Sequence, residues 1–430
     1  MDRGHRQGAT VSPSLVQPCY RTDDAEGRTR RRILLIHNFY ASTAPSGEDV
    51  VFEEERRLLR SAGHEVIEYV RRNDEFSRPS LVQQVAIGMA TMWSSRTYRE
   101  LRTLIRRSRP EIAHFHNTFP LISASGYAAC RSLGVPVVQT LHNYRIACAN
   151  TLLFRDGMIC EECLGHRPWP AVRHRCYRNS AALSAVVAMM IRKDQVLATH
   201  RLVDLFIAPT PFVAAKIAAV GVPRDKITIK AHAIEPGPRS NKDGDRRGLV
   251  FAGRLVPEKG VMTLLEAARG LPEICLDILG DGPQRAELEA FAHKHDIRCC
   301  FRGMVGRQEV LTAMLRARAV VVPSECHEPF GLTVLDAYSC GTPVVAAQSG
   351  GLAALVEDGC TGFRFPAGDS STLRRAIEQV LAQAPDQWAQ RVRDHVALNY
   401  DPARALSMIE SIYRDVIGAA RRKLLGHAAG

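Results

Sequence analysis

The chain has 430 residues, 46% apolar and 24% charged, a balance that suits a soluble globular protein and excludes fibrous and low-complexity classes. That length exceeds one comfortable hydrophobic core, so two domains of similar size are expected. A net charge of +12 calls for an acidic partner, whether a nucleotide, a lipid-linked phosphate, an anionic headgroup or nucleic acid, without choosing among them.

Residues 1–30 read as a disordered polar leader. Arg28, Arg30, Arg31 and Arg32 stand before only four apolar residues, 33–36, whereas a secretory signal needs an apolar core of about 7–15. The longest apolar helical stretch, 181–191, is Ala-rich, too short to span a bilayer and followed by Arg192 and Lys193. A cytoplasmic protein is expected, resting at most on the inner face of a membrane.

The first half alternates apolar strand runs with helical patterns, the arrangement of a parallel sheet with crossover helices. Strands are expected at 33–36, 64–70, 112–116, 135–140 and 205–208, with a helix over about 49–62 after a polar loop. In that loop Ser46, Gly47, Glu48 and Asp49 precede the helix, and the two acids suit a helix N-terminus. His116 and His142 each stand at the end of a strand, where sites form in open α/β sheets, although a histidine there is often only a structural hydrogen-bond partner. The basic segment 98–107 offers a face for anionic lipid.

A long insertion occupies 148–180. It carries Cys148, Cys160, Cys163 and Cys176, four of the 12 cysteines. A Cys-x-x-Cys flanked by two more cysteines can supply four thiolates in a tetrahedron, the preference of structural zinc, and a metal clip would help a Gly- and Pro-containing segment fold. Reduced structural thiols and a redox pair stay open as alternatives. Residues 235–247 hold almost no apolar side chain and make the expected linker. Asp243-Gly244-Asp245 within it looks superficially like a manganese motif, but no strand precedes to aim it, so it reads as loop.

The second half restarts at 248–253 and continues with strands at 274–279, 299–302, 319–322 and 344–347, then a helix over about 402–417. The first of these strands ends at Gly253, and Arg254 and Lys259 follow on the connection to a helix, where anion sites form. Gly280 and Gly282 make a second tight turn, and Met304 lies in a third strand-end loop. The most informative stretch follows the strand 319–322: Glu328 in a loop, Phe330-Gly331-Leu332 at a helix start, and Asp336 eight residues after Glu328. Backbone N–H groups and the positive helix end can take a phosphate there, while the flanking carboxylates accept hydroxyls of a sugar and a ribose.

This element, with Cys340-Gly341-Thr342-Pro343 and Gly350-Gly351 after it, closely resembles the E-x7-E element of the retaining glycosyltransferases of family four. The resemblance implies a GT-B fold: two Rossmann-like doubly wound domains facing across a cleft, here at 31–234 and 248–400, with the segment 401–430 crossing back to the first. It implies metal-independent transfer of a sugar from a nucleotide diphosphate sugar to a carbohydrate or lipid-linked acceptor, with retention through a front-face mechanism, in polysaccharide or glycolipid synthesis. Arg254 and Lys259 match the family's diphosphate-binding residues, Glu328 the sugar-holding acid, and His142 the histidine that approaches the sugar. The turns at Gly280 and Met304 match loops beside the nucleotide. Two departures stand out: Asp336 replaces the usual Glu, one methylene shorter toward the ribose, and Ser46-Gly47 replaces a Gly-Gly loop that in relatives closes over the donor phosphates and borders the acceptor pocket, so that the resemblance puts Ser46, Gly47, Glu48 and His116 on the acceptor side. A nucleotide-sugar epimerase on the same fold, and a zinc-containing nucleic-acid-binding module, are the competing readings. The second lacks a zinc-finger helix pattern and has only 6% aromatic residues, so no nucleic-acid partner is expected.

Overall fold

The computed structural model describes residues 30–40, 46–76, 81–165, 167–238 and 245–428. The leader 1–29 and the Asp243-Gly244 pair therefore lie outside the described residues. The strands are β1 (Arg32–Phe39), β2 (Glu65–Arg72), β3 (Ile112–Phe115), β4 (Val137–Thr140), β5 (Phe154–Arg155), β6 (Met158–Ile159), β7 (Leu205–Ala208), β8 (Ile227–Ile229), β9 (Leu249–Ala252), β10 (Leu276–Leu279), β11 (Cys299–Gly303), β12 (Ala319–Val322), β13 (Val344–Ala347) and β14 (Gly362–Phe365). They form two six-stranded sheets, ordered β2-β1-β3-β4-β7-β8 and β11-β10-β9-β12-β13-β14, plus the small β5-β6 hairpin. Each pairing in the large sheets is parallel.

The central strands are continuous apolar runs because helices cover both faces of a parallel sheet. Ile33, Leu34, Leu35 and Ile36 in β1, and Ala319, Val320 and Val321 in β12, are fully buried. In each sheet the strand order reverses once, between β1 and β3 in the first and between β9 and β12 in the second. Ligands bind at the carboxyl ends of the strands beside such a reversal. The residues placed there are His37–Phe39 and His116 in one sheet, and Gly253–Lys259 and Pro323–Gly331 in the other.

The C-terminal helix Pro402–Ala428 follows the second sheet in sequence but packs on the first. Leu406, Ile409, Ile412, Tyr413, Val416 and Ile417 share a core with Ile33, Leu35, Ile112, Val138 and Ile207. Burying each aliphatic side chain contributes roughly 1.5–3 kcal/mol before entropy, so this helix ties the two sheets together. Among the described residues, no helix is long and apolar enough to cross a membrane.

The expected linker is only partly a linker. Arg246 is buried and donates to Thr342 Oγ1 and Cys340 O, and the Gly237 amide donates to Ser339 O at 3.2 Å. Both ends of 235–247 are docked on the second domain, because its loop carbonyls and hydroxyls satisfy their polar groups. Asp245 is exposed. The insertion also has more core than its composition suggests: Cys163 and Ala171 pack with Phe119, Val187, Met190 and Ile191.

Candidate active site

On the second sheet, three strand ends approach closely. The Gly253 amide donates to Leu279 O at 2.9 Å and the Gly280 amide to Gly303 O at 2.8 Å. Gly280 has φ +134°, and a Cβ there would lie 1.8 Å from Gly253 O, so only glycine lets these turns meet. Just beyond, Lys259 Nζ donates to Glu328 Oε1, which also accepts from Ser324 Oγ at 2.8 Å. Burial opposes ionisation of both, yet each holds the other charged: Lys259 and Ser324 keep the Glu328 carboxyl below its usual range, and Glu328 keeps Lys259 above its own. Glu325, the other acid of this loop, accepts from Thr263 Oγ1 at 2.7 Å. Arg254 is 68% exposed at the end of β9, 3.5 Å from Glu258.

The helix Leu332–Ser339 begins after Gly331, whose φ of +108° lies in the left-handed region, and like any helix start its first turn has N–H groups without intrahelical partners. Phe330 itself is buried, its ring 4.6 Å from His232 of the first domain, so its side chain packs and only its backbone faces the site. Asp336 is engaged: its Oδ1 accepts from Arg307 Nη2 at 3.0 Å, and Arg307 Nη1 donates to Glu54 Oε1 at 3.2 Å. Burial raises the Asp336 carboxyl above its usual range, with Arg307 opposing. Met304 is 70% exposed.

Across the cleft, the first sheet carries a chain of buried rings. Glu55 Oε1 lies 2.9 Å from His114 Nδ1 and 3.6 Å from His116 Nε2, and its Oε2 lies 3.1 Å from Lys230 Nζ. His116 Nδ1 is 3.0 Å from His142 Nε2. The His142 ring stacks on His232 at 5.7 Å, which meets Phe330. Burial, then the neighbouring imidazoles, hold His142 well below its usual range, and burial brings His116 and His232 down to about 3. These three rings are neutral at physiological pH. Burial works against the Glu55 charge, but Lys230 and His114 hold its carboxyl well below the usual range.

Glu55, His114 and His116 bring three ligand atoms within 4.8 Å of one another. Lys230 already balances the Glu55 charge and would repel a cation there. Glu55, His114, His232 and Lys230 escaped the sequence reading, because each is unremarkable until the fold joins positions up to 175 residues apart. His116 is thus a support for His142 more than an independent ligand.

Ser46 caps the helix Gly47–Ser61 in a capping box with Asp49, and Asp49 Oδ1 also lies 2.8 Å from His37 Nε2. A cavity of about 300 Å³ opens beside His116, His142 and Glu48 and runs into the first domain toward Met190, Phe206 and Val222. In the insertion, the thiols of Cys163 and Cys176 are pushed up to about 12 and about 11 by burial and then by the other cysteines of the group, so all four share one neighbourhood. Among the described residues, however, no three of their sulfurs lie within 4.8 Å of one another. Glu161, between Cys160 and Cys163, reaches Lys216 and lies 3.6 Å from His327 of the acidic loop.

Two six-stranded parallel-sheet α/β domains in one chain define a GT-B fold. The crystal structure of Anabaena Alr3699/HepE in complex with UDP-glucose has this fold, with a TM-score of 0.62 at 18% identity over 90% of this chain and 100% of that one. "Glycosyltransferase Family 4" matches residues 45–236 and "Glycosyl transferases group 1" residues 237–395. The glycogen synthase of Mycobacterium tuberculosis is 27% identical over 86% of this chain and 83% of its own length. The lipopolysaccharide core biosynthesis glycosyltransferase LpsE of Rhizobium meliloti is 33% identical over 43% of this chain, a match that spans 56% of that relative. The chain belongs to the group 1, family four glycosyltransferases and is a nucleotide-sugar-dependent hexosyltransferase.

Proposed function

We propose that the protein moves a hexose, with retention of configuration, to a hydroxyl of a carbohydrate or lipid-linked acceptor in the synthesis of a cell-surface polysaccharide or glycolipid. The observation that carries this reading is the ionised Lys259–Glu328 pair lying between Arg254 and the helix start at Leu332. Departure of a nucleoside diphosphate places negative charge where Arg254, Lys259 and the N–H groups around Gly331 converge, while Glu328 holds the sugar's hydroxyls as positive charge develops at the anomeric carbon. His142, neutral and at the cleft, faces the sugar as a hydrogen-bond partner. No covalent enzyme intermediate is invoked.

A thermal-shift screen of nucleoside diphosphate sugars tests the reading. The true donor at 100 times its Kd stabilises by about 2.7 kcal/mol, and nucleoside diphosphate release then depends on an added acceptor. Epimer formation without acceptor would favour the epimerase reading. Salt-sensitive DNA binding with no turnover would favour the nucleic-acid module.

A lipid-linked acceptor fits one face of the first domain. The helices Leu81–Met92 and Ala181–Val196 pack together, Gly88 against Val186, and leave Met89, Trp93, Leu183 and Met189 exposed. The adjacent helix Ser95–Ser108 turns Leu101 and Ile105 inward and Arg96, Arg99, Arg106 and Arg107 outward. Apolar and cationic groups side by side suit the inner face of an anionic membrane. Flotation with anionic liposomes at physiological salt would dispose of this if the protein stayed in the soluble fraction. For the insertion, the spacing of Cys148, Cys160, Cys163 and Cys176 and their common neighbourhood support a structural zinc clasp that a bound ion would contract.

A further inference from the structure

An acid in the first turn of a helix ordinarily serves the helix, by capping or by facing its positive end. In the helix Gly47–Ser61 that work falls to Asp49, which closes the capping box with Ser46 and engages His37. Glu48 turns the other way. Its Oε1 accepts from Asn143 Nδ2, and the Asn143 amide is fixed in turn because its Oδ1 accepts from the Arg145 N–H at 2.8 Å. Its Oε2 is buried and has no hydrogen-bond partner, and Glu48 is among the residues that line the 300 Å³ cavity beside His142. A buried carboxylate oxygen without a donor costs free energy that a ligand's hydroxyl would recover.

The preceding residue gives the direction. A Cβ on Gly47 would sit 3.0 Å from Leu332 Cδ1, so this loop rests on the first residue of the donor-side helix. Glu48, the next residue, lines the cavity, so the cavity and the donor-side helix come together at Gly47 and Glu48. Same-face attack, which retention requires, needs the acceptor hydroxyl there.

We propose that Glu48 binds the attacking hydroxyl of the acceptor and takes its proton during transfer. This rests on the transferase reading above. The hydroxyl proton passes to Glu48 Oε2 while an oxygen lone pair forms the new bond to the anomeric carbon. The bond from that carbon to the diphosphate oxygen breaks, its electron pair leaves with the diphosphate, and Glu48 then gives the proton to solvent water. Burial pushes the Glu48 carboxyl up to about 7, near the working pH of an efficient base. The other charged or titratable groups facing it are Arg145, Asp49 and Tyr40, with His142 and His116 beyond them along the cavity.

The test uses water as the attacking hydroxyl. UDP-glucose, UDP-galactose, UDP-N-acetylglucosamine, ADP-glucose and GDP-mannose are incubated with the full chain, and hydrolysis of the fastest donor is followed from pH 5.5 to 9. Wild type is expected to show a limb near pH 7. Glu48→Gln, nearly isosteric, is expected to lose the limb and to slow hydrolysis by about 10²–10⁴. Glu48→Ala, with the site emptied, is expected to regain part of the rate when formate is added, a rescue that a structural role would not produce. Glu48→Gln at wild-type rate with the limb intact, or Glu48→Ala indifferent to formate, overturns the proposal. Failure to cleave any of the nucleotide sugars would instead overturn the transferase reading.

Discussion

The two strand-end surfaces that face each other across the cleft solve opposite electrostatic problems. On the second sheet, glycines clear space and the working groups are charged: Arg254 is exposed, and Lys259 and Glu328 keep each other ionised. On the first sheet the titratable groups are buried, and His116, His142 and His232 are held neutral, with the Glu55 charge closed off by Lys230. In the function proposed above, the surface on the second sheet receives a diphosphate and the other presents polar but uncharged groups to a sugar.

If that division is right, removing a cation from the second surface should cost most. Arg254→Ala and Lys259→Ala are each expected to lower kcat by about 10²–10³, the effect of deleting one oxyanion-stabilising donor. Steady-state kinetics with the selected donor measure it, and a loss confined to KM would mean that these cations bind the donor without favouring the transition state. Arg254→Ala is the cleaner variant, because its side chain is exposed and stands 3.5 Å from Glu258, whereas Lys259 is the direct partner of the Glu328 carboxylate.

Neutral buried histidines predict an acid-sensitive first domain. His116 and His232 titrate near 3 when folded and near 6.5 when unfolded, so below pH 6.5 the unfolded chain binds more protons and stability falls with pH. Each contributes a loss of about 2 kcal/mol between pH 6.5 and 5. Differential scanning calorimetry should therefore show Tm falling across that interval, because the two rings together outweigh Glu48, whose raised carboxyl takes up a proton in the fold and acts in the opposite direction. A flat Tm from pH 7 to 5 would mean that the rings are protonated in the fold.

The same contrast explains what could be read from the sequence. The donor surface comes from two short contiguous segments, 253–259 and 324–336, so its residue types and spacing carry the chemistry. The acceptor surface is assembled from Glu55, His116, His142 and His232 on four separate elements, and no local pattern marks the set. His116 and His142 stood out only because they end strands; Glu55 and Lys230 had no such marker. Strand reading had an analogous limit. The sixth strand of each sheet, β8 and β14, went unseen because Thr228 interrupts one short apolar run and Gly362 and Arg364 dilute the other. Edge strands need apolar residues on fewer sides, so their periodicity is weak. Glu48 was visible as a helix-start acid, but its inward turn depends on Asn143, 95 residues away.

A smaller effect is expected at the insertion, whose Glu161 lies 3.6 Å from His327 of the donor loop. Purified protein should contain zinc, and Cys160→Ser with Cys163→Ser should remove it and lower Tm by a few degrees, at roughly 2–4 °C per kcal/mol, while kcat changes less than tenfold. Metal-free protein whose Tm ignores a chelator would leave these thiols as packing residues of the cluster around Val187 and Met190.

The smallest effect concerns Asp336, the donor-surface acid whose cationic partner also reaches the first domain. Arg307 bridges Asp336 and Glu54 at 3.0 and 3.2 Å, so it joins the two domains while filling the position matched to the ribose-holding acid. A ribose diol must displace that guanidinium, and Asp336, a methylene shorter than Glu, has less reach to bind both. Partly exposed ion pairs are worth about 0.2–1 kcal/mol. Arg307→Ala should then tighten binding of UDP, used as a probe, by up to about fivefold in calorimetry. Weaker binding would reverse the assignment: Arg307 would be a ligand of the nucleotide, Asp336 would be its positioning partner, and the second surface would hold its leaving group with three cations.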